Sequence, residues 1–541
     1  MRIVTRILLV AGLLAGLGAA MPEDSLTTVR RLAIQHNGRH KPFDSFAREV
    51  ISLITGEPQY GKADPVETVL SMMASPERWQ DEPLIAVPLV PLREALGLSP
   101  KTTHVSFNEL VATRKLMRML PAIVEKQRAG EKLSMLENEA WDAYQRFVQF
   151  NQLVEHDLSL IPPPPSVVER SWLPILAPAG HSPEQQATLR EAWTAFVGAV
   201  REPQPTAIAT AAGHLADVLR AVNPSAYPSA WRLQLEVFYN RAAPFRAARL
   251  LYLVAFLGLL VGVAWRPQTV IRLGTIALWV GFIIHGAGIV LRVVLGGRPP
   301  VSNFFETMLW LPFVAVALAL VFERIYRVGY FGMAASVVAA ITLLLADHLP
   351  LDPSISPVVA VLRSNLWLTV HVLTIVASYG ALTLATALAH VYGGLYLLRS
   401  RTQEALSRLD TFLYRAIQVG VVLLAGGVML GAVWANASWG RYWGWDPKET
   451  WALITLLWFL AILHGRFAGW IHGVGVALAT IGGFFLLLMT YYGVSFYLVG
   501  LHSYAGGHAK PLPPLLIAYL IAELAFLAII GLAALSRRRP A

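Results

Sequence analysis

No cysteine occurs anywhere in the 541-residue chain. That absence excludes disulfides, a thiol nucleophile, thiolate metal ligation and a covalently held c-type haem of its own. Any metal must be held by the 14 histidines, the methionines or oxygen donors. Charge is scarce as well. Charged residues make up 14% of the chain against 55% hydrophobic ones, too apolar for an ordinary soluble protein. Acidic residues are outnumbered, 34 to 44, leaving a net charge of +10. Such a balance can signal nucleic acid. Here the arginines lie mainly in short clusters between apolar segments, which reads as membrane topology, so no nucleic-acid partner is expected.

What is present falls into three parts. Arg2 and Arg6 precede the apolar stretch Ile7 to Leu17, and Gly18, Ala19 and Ala20 follow, so 1–21 reads as a signal peptide or a retained anchor. Residues 22–245 are mixed in polarity with no run long enough to cross a bilayer. Helical spacing at Leu110–Val124 and Trp141–Val154 predicts a mostly helical extracytoplasmic domain, with Pro162–Pro165 as a stiff linker dividing it into two portions. From 246 to 541 the apolar runs are Leu250–Trp265, Leu273–Leu295, Phe304–Phe322, Val328–Ala346, Trp367–Leu398, Ala416–Val433, Thr450–Leu463, Val474–Val494 and Leu515–Leu535. About 20 residues suffice to span a hydrocarbon core. The expected fold is therefore all-α, a polytopic membrane helix bundle of about nine spans carrying an N-terminal extracytoplasmic domain.

Short-loop charges orient the bundle. With the first domain exported, inner loops would hold Arg266, Arg272, Arg324, Arg327, Arg399, Arg401, Arg408, Arg415, Arg466 and Arg537 to Arg539. Outer loops would hold Arg298, Arg363, Arg441, Lys448 and Lys510. The positive-inside rule and the export signal agree.

In that topology Trp434–Trp451, WANASWGRYWGWDPKETW, is an outward-facing loop with five tryptophans and Tyr442 in 18 residues. Tryptophan favours membrane interfaces, so an aromatic belt is the plain reading. A belt, however, spreads over many helix ends. Trp434, Trp439, Trp443, Trp445 and Trp451 in one segment would suit a flat, π-rich ligand. Asp446, Pro447 and Glu449 have a structural explanation: a capped helix start with proline in its first position and a capping box.

His371, near the outer end of its span, and His502, in the outer sequence GLHSY, fall on the same side as this loop. Singly, each reads as a hydrogen-bonded histidine. Together they can supply two axial nitrogens to a haem iron. His464 lies toward the inner leaflet, with His390 at similar depth and His285 nearer mid-span. An ionisable residue within a span is a functional candidate, and the sequence forces no pairing among these.

The stretch GAVWANASWGRYWGWDPKETWALITLLWFLAILHGR resembles the signature of the CcsA/ResC-type subunit of the system II cytochrome c synthase, within the tryptophan-rich (WWD) haem-handling proteins. GGRPPVSNFFETM, from Gly296 to Met308, and GLHSY are similar to the same branch, and agreement runs from about Leu273 to Tyr504. NGRHKPFDSFAREV, from Asn37 to Val50, resembles a segment of some fused synthases; a surface turn followed by a helix is the alternative. No region resembles the CcsB/ResB half.

The resemblance implies a multi-pass protein of the bacterial cytoplasmic membrane. His371 and His502 would be axial ligands of an outer haem, with Trp434, Trp439, Trp443, Trp445, Asp446 and Trp451 around it. His464 would help to bind haem within the membrane, its second ligand coming from a CcsB/ResB-type partner, His285 or His390. The ligand would be haem b, offered as Fe(II) to the CXXCH thiols of apocytochrome c. The implied activity is that of a cytochrome c haem lyase/synthase subunit, and the implied partners extend to a thioredoxin-like reductant. A haem exporter or chaperone that ligates nothing would need the same site. Arg298 or Arg441 could pair with haem propionates.

Overall fold

The computed structural model describes residues 26–541 apart from 168–170, 203, 266, 350, 358–365, 399–402, 503–512 and 538–541. The leader and the cations Arg266, Arg363, Arg399, Arg401, Lys510, Arg538 and Arg539 lie outside the described residues. The chain divides into two compact units, up to Ala242 and from Ala243.

In the first unit an antiparallel hairpin pairs β1 (Ala33–His36) with β2 (Arg39–Pro42). Asn37 and Gly38 turn it with φ of 50° and 72°, the left-handed pair that a tight hairpin requires. Helix α1 (Phe43–Thr55) follows directly, and α2 (Met135–Val154) and α3 (Ala230–Ala242) pack against it. Asn37 and Gly38 form a surface turn and α1 is the helix that follows it. Residues 41–47 are buried: Lys41 is 1% exposed and pairs with Glu49, while Asp44 takes Arg30 at 2.8 Å. Arg39 binds Glu236 of α3 through two bonds of 2.7 and 2.5 Å. Buried ions survive only when paired, so these contacts make the segment a scaffold for α3.

Pro162–Pro165 is not a linker between two portions. Pro162, Pro163 and Pro164 are buried, and one hydrophobic core runs from Phe43 and Phe150 before them to Trp193, Phe196 and Leu215 after them. Proline brings apolar ring surface and no N–H to satisfy, and Asn223 donates to the Pro163 carbonyl at 2.8 Å.

The second unit is a membrane bundle. Among the described residues nine helices are long and apolar enough to cross a membrane. They are α4 (Pro244–Trp265), α5 (Gln268–Gly296), α6 (Phe304–Tyr326), α7 (Tyr330–His348), α8 (Leu366–Leu397), α9 (Gln403–Trp439), α10 (Pro447–Phe467), α11 (Val474–Leu488) and α12 (Pro514–Ser536). A π-helical turn, Met489–Gly493, and a last helical turn, Val494–Tyr497, extend α11. The architecture is the expected all-α polytopic bundle.

Helix α8 is central, packing against α6, α7, α9, α11 and α12, and it is the most buried of the nine. With no hydrophobic driving force between helices in lipid, close association depends on small residues. The α8–α9 contact shows it. A Cβ on Gly427 would lie 2.7 Å from Ile375, and one on Gly431 would lie 2.7 Å from Cε1 of His371. Because the spans alternate in direction, the described residues of the connections 297–303, 351–357, 440–446 and 498–502 gather at one end. Every residue discussed as a site below, except the histidines of other depths, belongs to that end.

Candidate functional site: two histidines on a shared cavity

The tryptophan-rich segment is mostly helical, which corrects its reading as a loop over 434–451. Helix α9 continues to Trp439 and α10 begins at Pro447, leaving only 440–446 as loop. The two alanines of ANAS favour helix, so Trp434 and Trp439 point by helical rotation rather than forming one platform. Asp446 accepts from Lys448 N at 2.9 Å, Glu449 returns to Asp446 N at 3.2 Å, and Pro447 takes the first position. The capping box is present as spacing implied.

Asp446 does more than cap. Its Oδ2 accepts from Leu501 N at 2.6 Å and its Oδ1 accepts from His502 Nδ1 at 2.9 Å. The backbone comes so near that a Cβ on Gly500 would lie 2.3 Å from this carboxylate. Burial pushes the Asp446 carboxyl up, but the bonds from His502, Lys448 N and Leu501 N outweigh it and hold the group below the usual carboxylate range.

His371, near the start of α8, engages Gly427 O of α9 through Nδ1 at 2.8 Å. Carbonyl and carboxylate oxygens only accept, so in both histidines Nδ1 carries a proton, and in the neutral ring that leaves the lone pair on Nε2. Among the described residues neither Nε2 has a hydrogen-bond partner. Trp434 packs against both rings, its centroid 6.2 Å from His371 at 10° and 5.9 Å from His502 at 62°. Trp439 closes the packing, 4.7 Å from Trp434 and 5.2 Å from His502.

Both histidines line one cavity of about 710 Å³, within the usual size of small-molecule sites. Its walls include Val372, Tyr379, Val428, Trp443, Tyr491 and Phe496. The residues therefore fit a flat, largely apolar ligand with a metal at its centre: two open imidazole nitrogens, each fixed from behind, beside aromatic walls. A hydrogen bond behind a ligating imidazole fixes its tautomer and orientation, and a carboxylate there strengthens it as a donor.

The remaining expected residues scatter. Trp443 lines the cavity, whereas Trp434 is 1% exposed and acts as a brace. Trp445 is 70% exposed and meets Trp443 edge-on at 5.8 Å. Trp451 lies within α10, where its carbonyl accepts from Thr490 at 3.0 Å. Arg298 is spent on Glu306 through bonds of 2.7 and 2.9 Å. Arg441 lies over the Trp439 ring and reaches Glu449 at 3.5 Å.

His464 sits at the far end of α10, roughly 25 Å from its start at about 1.5 Å per residue. Its Nδ1 engages Leu460 O at 2.8 Å. His390 engages Thr386 O and Glu523 of α12, at 2.8 and 2.9 Å. His285 is enclosed by Tyr252, Phe245 and Phe313. Among the described residues no group of three or more histidines and carboxylates is arranged to hold a metal ion.

Sequence reasoning missed four residues that shape the cavity. Tyr491, on the π-helical turn, bonds Thr307 at 2.6 Å, and Phe304 stacks on it at 4.8 Å. Such turns recur at functional sites, yet nothing in MTYYG announces one. Gly431 makes room for the His371 ring. The resemblance carried by SNFFETM assigns no role to Phe304 or Thr307.

Residues 301–502 match the family described as Cytochrome C assembly protein. The chain is 33% identical to the cytochrome c biogenesis protein CcsA of Synechococcus sp. (strain CC9902), over 48% of the chain and 98% of that protein. It is 35% identical to the CcsA of Prochlorococcus marinus subsp. pastoris, over 39% of the chain and 77% of that protein. A third relative, protein NrfI of Wolinella succinogenes, is 32% identical over 88% of the chain; the chain spans 54% of NrfI. The matched region holds the two histidines, the capped tryptophan segment and the cavity between them: this chain belongs to the CcsA family of cytochrome c biogenesis proteins.

Proposed function

We propose that the cavity holds haem b as substrate, with His371 and His502 as its axial ligands, and presents it for thioether attachment to the CXXCH motif of apocytochrome c. One observation carries this reading: two imidazoles on one cavity, each with Nδ1 committed and Nε2 open. The family's place in cytochrome c biogenesis supports it. Attachment is a redox-neutral addition. The substrate sulfur bonds to the vinyl carbon next to the ring, and the thiol hydrogen ends on the terminal carbon. The chain's part is then positioning, which can lower a bimolecular barrier by about 7–11 kcal/mol.

The site would face outward from a bacterial cytoplasmic membrane. Short-loop arginines Arg272, Arg324, Arg327, Arg408, Arg466 and Arg537 support that orientation, since they lie at the opposite end. Having no cysteine, the chain cannot reduce a disulfide between its substrate's CXXCH cysteines, so a thioredoxin-like reductant is part of the proposal. So is a CcsB/ResB-type membrane partner, which would supply the second ligand where His464 leaves its own Nε2 open.

The test is reconstitution with a CcsB/ResB-type partner and an apocytochrome c in a host without its own cytochrome c maturation. Covalent haem on the cytochrome is expected. A chain that loads with haem yet yields no covalent product would be a carrier. Gly431→Ala is expected to push the His371 ring aside at about 1–3 kcal/mol, lowering both product yield and the midpoint of thermal unfolding in detergent.

A further inference from the structure

Lys448 stands in the first turn of α10, and its side chain lines the same cavity as the two histidines. Its ammonium donates to Ser495 Oγ at 2.9 Å and to Tyr491 O at 3.2 Å. Both acceptors are neutral. An ammonium has three N–H donors, so one is left over. Among the described residues no carboxylate forms an ion pair with it. Its acidic neighbours are engaged elsewhere: Asp446 with His502 and backbone amides, Glu449 with Gly444 N at 2.8 Å, Asp446 N and Arg441. Arg298, the other cation of the wall, has both terminal nitrogens on Glu306.

A cation in the first turn of a helix is opposed by the macrodipole, because the N-terminus is already the positive end. The same superposition makes a strong anion site, where backbone dipole and side-chain charge act in one direction. An enclosed ammonium bonded to neutral oxygens gains most from a carboxylate, which forms a charge-assisted hydrogen bond.

We propose that Lys448 binds a carboxylate of the ligand, one of the two haem propionates, and so fixes which edge of the porphyrin lies deep in the cavity. This rests on the haem reading of the site. The propionates and the vinyl groups occupy opposite edges of haem. Anchoring one propionate at the start of α10 therefore turns the vinyl edge away from Lys448, toward the incoming thiols.

The test uses the full chain in detergent, titrated with haem and with haem dimethyl ester, whose carboxylates are uncharged. Binding is followed by tryptophan quenching and by the Soret band. The wild type should bind the ester about tenfold more weakly or worse, the cost of one charge-assisted bond. Lys448→Met should weaken haem to the ester's level and abolish the discrimination, and Lys448→Arg should keep it. Equal affinity of the wild type for haem and ester, with both showing a bis-histidine spectrum, overturns the carboxylate subsite and leaves the haem site standing. If neither binds, the haem reading falls and this proposal with it. Should Lys448→Met fail to fold, the wild-type comparison decides alone.

Discussion

Asp446→Ala should dismantle the site. Its carboxylate, 3% exposed, is the cap of α10 and the acceptor for both Leu501 N and His502 Nδ1. Losing a cap costs about 0.5–2 kcal/mol, and each buried donor left without a partner adds about 1–3 kcal/mol. The unfolding midpoint in detergent should drop clearly. Haem affinity should fall about 10- to 100-fold, as for other partners behind a metal ligand. Asp446→Asn is the sharper probe. It keeps shape and an acceptor, so the fold should persist. Without the carboxylate, His502 is a weaker donor, ferric haem is less favoured and the reduction potential should rise. Potentiometry of the haem-loaded variant checks this; an unchanged potential would mean that the Asp446–His502 bond does not tune the iron. Acid gives the same information. A carboxyl held below its ordinary value adds stability that is complete above its unfolded pKa of about 3.9 and is lost as pH falls through the folded value. The unfolding midpoint in detergent should therefore lose this contribution below about pH 4, and Asp446→Asn should lack it at every pH.

Glu306→Ala is expected to be the most destabilising single change in the bundle. This carboxylate, at the start of α6, accepts from Arg292 at 2.9 Å, from Arg298 at 2.7 and 2.9 Å and from Ser302 N at 2.8 Å. Both arginines are buried. Deleting the carboxylate leaves two guanidinium groups together without it, a loss of about 3–5 kcal/mol for a broken buried pair. The 297–303 segment, part of the cavity wall, would be displaced. The expected readout is a large fall in thermal midpoint and in protein recovered from membranes, with Glu306→Gln intermediate because its amide oxygen still accepts. Wild-type stability in Glu306→Ala would show that other contacts hold this segment.

Glu306 also marks where sequence reading stops. The nine spans were legible because a bilayer imposes a length of apolar chain whatever the tertiary fold. The start of α10 was legible because Asp446, Pro447 and Glu449 interact across three residues. Long-range pairings were not. Asp446 and His502 are 56 residues apart, Lys448 and Ser495 47 apart, and no local pattern encodes either. Trp434 and Trp439 were misplaced for a different reason: glycine and aromatic residues suggested a loop, while packing against His371 and His502 holds them in helix. In the first unit, local composition likewise read Pro162–Pro165 as a spacer, and only the shared core shows the prolines as packing residues. His371 and His502 were placed on one side by span counting alone. That they share one cavity with open Nε2 atoms needed the structure.

The central claim is tested most directly by the absorption spectrum of the detergent-purified protein, reduced with dithionite, beside His371→Ala and His502→Ala. The account predicts a low-spin bis-histidine haem in the wild type, weakened or converted to high spin in each variant. A wild type that stays haem-free when produced with a CcsB/ResB-type partner, or a spectrum that neither substitution alters, would contradict it.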